Sequence, residues 1–139
     1  MTSKELLTYA LNHSGNQLSG CLDGMTEQAF DTHCAPNGMT PREIVEHLCE
    51  AYVAFAAHSE GKEHEWGSFS IADKSTGNIQ ATFRTLREKA VSIAQSSDDE
   101  AVQKAAIDYI SAHDCYHVSQ LVLARLQAEP DWNHYAIYG

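Results

Sequence analysis

The 139-residue chain carries nine Lys and Arg against nineteen Asp and Glu, a formal charge of −10, so nucleic-acid backbones and anionic membrane surfaces are repelled over most orientations. Its 43% hydrophobic content suffices for one core, and the length fits a single domain over residues 1–139. No run approaches the roughly 18 apolar residues of a membrane span, and no basic stretch followed by an apolar one opens the chain; the expectation is a cytoplasmic protein with no membrane and no nucleic-acid partner. Cys21, Cys34, Cys49 and Cys115 are scattered without a C-x-x-C pair and read as reduced thiols, with packing their default role.

The first predicted helix spans 3–22. Thr2 and Glu5 have capping-box spacing, and Leu7, Leu11, Ser14, Leu18 and Cys21 recur at helical intervals on one face. A helical turn is expected near 26–30, followed by turn chemistry at 34–38 (CAPNG). The second long helix starts cleanly at Thr40-Pro41-Arg42-Glu43, an N-cap, a first-position proline and a box-completing glutamate, and runs to about Ser59. Residues 60–77 contain three glycines around Trp66 and Phe69, long for a connection in a compact bundle, and form either a crossover or a lid. A connection of that length is enough for the chain to recross about 30 Å, and it predicts that the flanking helices run roughly parallel.

The third long helix covers about 78–95, with Ile79, Phe83, Leu86, Ala90 and Ile93 on one stripe and no histidine. The fourth follows Ser97-Asp98-Asp99-Glu100, again with capping-box spacing, and continues until Pro130 ends regular helix. Its stripe reads Val102, Ala106, Ile110, His113, His117, Leu121 and Ala124.

Two histidines four apart lie one helical turn apart on the same face, so their rings converge on one point. The spacing alone is a weak signal in a chain with eight histidines; the placement carries more. His113 and His117 occupy positions that a bundle fills with Leu or Ala, where an imidazole losing hydration needs compensation from a metal or from a hydrogen-bonded partner. On the second long helix, Ile44, His47, Ala51, Phe55 and His58 trace the apolar face, so His47 and His58 compete as a third ligand. The H-E-x-x-H protease motif is absent, residue 114 being Asp and residue 115 Cys. Asp114 and Glu50 flank the ligands in sequence but point sideways by helical angle, and solvated positions are expected for both.

Residues 39–48 (MTPREIVEHL) and 112–121 (AHDCYHVSQL) resemble the DinB/YfiT-like superfamily of metalloenzymes. The resemblance extends over essentially the whole chain, including the aromatic tail 130–138 (PDWNHYAIY). It implies an all-α four-helix bundle with a long crossover between helices 2 and 3, and a divalent transition metal held by His47, His113 and His117. Ser119-Gln120 departs from the more usual Gly-Gln, without touching the ligand set. Gln120 follows His117 by three residues and His113 by seven, so it shares their face and is placed to orient a ring or a bound water.

An all-histidine set suits zinc or nickel and does not choose between them. The resemblance implies a metal-dependent hydrolase or a thiol-dependent transferase acting on a small molecule, with a low-molecular-weight thiol as one candidate. It also suggests a homodimer, for which Trp132, Tyr135, Ile137 and Tyr138 supply apolar surface. Two other classes stay open: a non-catalytic stress protein that binds metal or a small ligand, and an interaction module whose histidines are core residues.

Overall fold

A computed structural model describes all 139 residues. The chain is a helical bundle without strands: α1 (Ser3–Leu22), α2 (Glu27–Phe30), α3 (Pro41–Ser59), α4 (Thr76–Ser96), α5 (Glu100–Ala106) and α6 (Ala112–Ala128). A π-helical turn, Ile107–Ser111, joins α5 to α6, and a short 3₁₀ segment, His134–Tyr138, closes the tail. No helix is long and apolar enough to cross a membrane.

Local signals set the starts of α1 and α3. Thr2 and Glu5 form a reciprocal capping box, as do Thr40 and Glu43 ahead of Pro41, so donors that the first helical turn leaves unpaired are satisfied at both ends. The expected box at Ser97 does not form. Asp99 caps α5 instead, accepting from the Ala101 backbone N–H, while Ser97 accepts from Asp99 itself. α4 begins at Thr76, two residues before the expected Asn78.

Contacts along the helices fix their directions. Arg42 at the start of α3 donates to the Lys74 carbonyl just before α4 at 2.7 Å, Tyr52 meets Phe83 mid-helix at 5.9 Å, and Glu60 and Lys89 share a groove at the far end. α3 and α4 therefore run parallel. α1 and α6 are parallel too: Ser14 meets Asp114, and Arg125 donates to the carbonyls of Cys21 and Asp23 at 2.9 and 2.7 Å, capping the open end of α1. α3 and α6 run antiparallel, because His47 faces His113 and His117 while His58 stacks on Tyr109.

The core joins Leu11 and Leu18 of α1, Ile44, Leu48 and Phe55 of α3, Ile79 of α4, Ile110 and Leu121, all fully buried. No disulfide forms; Cys21, Cys34 and Cys49 are buried, but Cys115 is exposed and so departs from the packing role expected of it. The tail folds back on α1, where a Cβ at Gly20 would stand 2.8 Å from the Ile137 Cα, and Trp132 lies against the Arg125 guanidinium at 4.4 Å. Tyr135 and Tyr138 remain exposed.

Candidate metal centre

α3 contributes His47, two turns from its start, and α6 contributes His113 and His117 from its first two turns. Their Nε2 atoms meet: His113 Nε2 lies 3.1 Å from His47 Nε2 and 3.0 Å from His117 Nε2. The rings stand edge to face, at 74–82° to one another. His117 is buried, and His47 and His113 are half-buried. His58 is exposed against Tyr109 and takes no part. It lies three turns further along α3, and because α3 and α6 are antiparallel that distance carries it away from His117.

The protons of these rings cannot satisfy the cluster. Gln120 Oε1 lies 2.6 Å from His117 Nδ1; an amide oxygen only accepts, so Nδ1 carries the proton and His117 Nε2 presents a lone pair. His113 Nε2 has either one proton or one lone pair, yet it faces two nitrogens. In the neutral state at least one contact is left without a hydrogen bond. Burial and the neighbouring His117 and His47 push the His113 pKa down to about 4. Burial likewise lowers that of His117, against the Gln120 hydrogen bond. Neutral rings with converging lone pairs are the form a metal ion takes.

Two of the three separations match such an ion. Nitrogens held at about 2.0–2.1 Å around a tetrahedral centre lie about 3.3 Å apart, close to the 3.0 and 3.1 Å from His113 to its two neighbours, and all three ligand atoms lie within 4.8 Å of one another. A neutral amide accepting from the outer nitrogen of His117 is the support that metal-bound imidazoles usually have. Ser119 is exposed and bonds only the Tyr116 carbonyl, leaving the site unaffected.

Two expectations about carboxylates fail. Asp114 is fully buried rather than solvated. It accepts from Tyr52 Oη at 2.6 Å, Ser14 Oγ at 2.9 Å, and Arg87 Nη2 and Nε at 2.8 and 3.2 Å. Glu50 is buried as well, accepting from His64 Nε2 and from the backbone N–H groups of Gly67 and Phe69 at 2.9–3.2 Å. The physical reason is shared: each carboxylate is repaid for lost hydration by donors distant in sequence, which helical angle alone cannot reveal. Ser14, a hydroxyl on an otherwise apolar stripe, was the one sequence signal of the first network. Beside it, Gly15 leaves the room that Arg87 fills, since a Cβ there would stand 2.5 Å from Nη1.

Glu50 and Glu46, which accepts from the Ile71 N–H at 3.0 Å, strap residues 64–71 onto α3. The strapped loop brings Trp66 to 6.3 Å from the His47 ring, so the connection is both a crossover and a partial cover. No family model, curated protein or solved structure matches the chain in the three comparisons made.

Proposed function

We propose that the chain is a metal-dependent enzyme of the DinB/YfiT-like kind, a four-helix bundle with a long crossover, in which His47, His113 and His117 hold one divalent ion. One observation carries this reading: three imidazole nitrogens lie within 4.8 Å of one another, two of them in contact with His113 Nε2, and their own protons cannot pair every contact. Three protein ligands leave positions free, as catalytic sites do and closed structural sites do not. Zinc and nickel both suit the donor set. Such an ion supplies a Lewis acid that activates a water or holds a thiolate.

The chain's own residues divide the remaining work. Gln120 fixes the His117 tautomer, and burial keeps His113 and His117 neutral. Trp66 restricts water on the His47 side. Asp114 and Glu50 are committed to internal partners, which leaves Asp108, on the rim of the cavity at His113, as the carboxylate facing substrate. We assign the chain to hydrolysis or thiol-dependent transfer on a small molecule. We also assign it to a homodimer, whose contact would use the exposed Tyr135 and Tyr138 of the tail.

The test is a screen of the zinc- and nickel-loaded chain against ester, amide and thiol-conjugation substrates. Turnover in one class, abolished by His113→Ala, is the expected result. Full metal loading with no turnover in any class would replace the enzyme by a ligand-capturing protein built on the same site.

A further inference from the structure

A cavity of about 230 Å³ opens beside His113 of the histidine cluster, lined by Trp66, Asp108, Tyr109 and His113. It joins two large aromatic rings to a single carboxylate, with no Lys or Arg in its lining. Trp66 and Tyr109 lie parallel, 7° apart in plane with centroids at 6.3 Å. Trp66 is nonetheless 50% exposed, so the stack leaves indole surface uncovered although the Glu50 strap holds the loop in place. The same two rings wall off a second groove containing Lys62, and Lys62 is already paired with Glu60 at 3.0 Å. Asp108 belongs to none of the chain's ion pairs.

The π-turn explains how these groups share a wall. On an α-helix, residues five apart diverge by about 140°. Here the Ala112 N–H bonds the Ile107 carbonyl, an i→i+5 step that brings such residues toward one face. Asp108 thereby lines the same cavity as His113, and Tyr109, one turn before His113, lies between that cavity and the second groove. A π-turn interrupts regular helix hydrogen bonding, and such turns recur where a helix aims side chains at a ligand.

Aromatic faces attract cations through their quadrupole, and an unpaired carboxylate adds a full opposite charge. An anionic group would meet repulsion at Asp108, and a neutral one would forgo that charge. The volume matches about seven or eight waters at ~30 Å³ each, room for a compact ammonium group. We propose that the Trp66–Asp108–Tyr109 cavity binds the positively charged ammonium end of a small substrate, whose electron-donating end reaches the three histidines. The second half of that statement rests on the metal-enzyme reading; cation binding itself does not.

The probes are choline and 3,3-dimethylbutan-1-ol, which share a shape and differ in charge. Each is titrated into the full chain stripped of metal, with the Trp66 indole N–H resonance as readout, assigned through Trp66→Phe. Choline is expected to bind at least about fivefold tighter, the equivalent of ~1 kcal/mol. Asp108→Asn should reduce that preference without changing the thermal transition, and Trp66→Leu, read by calorimetry, should weaken choline comparably. Equal binding of the two probes, an unchanged preference in Asp108→Asn, or no choline binding up to about 50 mM would overturn the proposal. Zinc uptake is measured on the same preparation. A chain that takes no zinc yet prefers choline loses the metal reading and keeps the cation site. One that takes zinc and treats the probes alike does the reverse.

Discussion

His113 and Asp114 are consecutive residues of α6 that serve two polar clusters of opposite character. Asp114 turns inward, where Tyr52, Ser14 and Arg87 supply every donor it needs and Arg87 spends a further hydrogen bond on the Leu11 carbonyl at 2.7 Å. His113 turns toward the mouth, where its Nε2 faces two further nitrogens and no arrangement of protons pairs them all. Both clusters lie between helices of the same small bundle, so burial alone does not separate structure from function. Completeness does: a closed network locks helices together, and an open one marks where a ligand belongs.

The largest expected effect strikes the closed cluster. Asp114→Ala removes the acceptor of four hydrogen bonds and leaves Arg87 largely buried without its counter-charge. Breaking such a pair costs about 3–5 kcal/mol, a large part of the roughly 5–15 kcal/mol that holds a domain folded. Urea unfolding measures it, and a loss under about 1 kcal/mol would show the network to be ornamental. If the comparison holds, His113→Ala in the metal-free chain costs far less, because it relieves an unsatisfied contact.

A smaller effect, with a defined sign, comes from acid. The folded metal-free chain holds the His113 pKa down at about 4 and lowers that of His117, whereas an unfolded histidine titrates near 6.5. The unfolded state takes up protons first. Stability from these groups is therefore present above pH ~6.5 and lost as pH falls from there toward ~4. Urea midpoints across that window should fall more steeply for the parent chain than for His113→Ala, and equal slopes would contradict the assignment. The same depression defers proton competition at the site, so metal should persist somewhat below the ordinary histidine pKa rather than leave at it.

The two clusters were unequally legible in the sequence. The boxes at Thr2–Glu5 and Thr40–Glu43 are local chemistry, complete within four residues, and α1 and α3 start where they say. His47, His113 and His117 stand out as polar residues in apolar stripes, although the pattern left His58 level with His47 until the helix directions separated them. Asp114 was misread because its partners sit at 14, 52 and 87, on three other helices. Glu50 was misread because its partners include backbone N–H groups of the loop, which carry no residue signature. The π-turn at Ile107–Ser111 has no glycine, proline or other breaker to announce it; it shifts the buried position from His113 to Asp114.

The central claim, that the open cluster is a metal site, is tested most directly by metal content at neutral pH after zinc or nickel loading and desalting, compared among the parent chain and four variants. The parent should hold close to one ion per chain. His47→Ala, His113→Ala and His117→Ala should each lose most of it, since two remaining imidazoles chelate weakly, while His58→Ala keeps it. Equal retention in all four variants, or a parent chain that refuses both metals, would contradict the account.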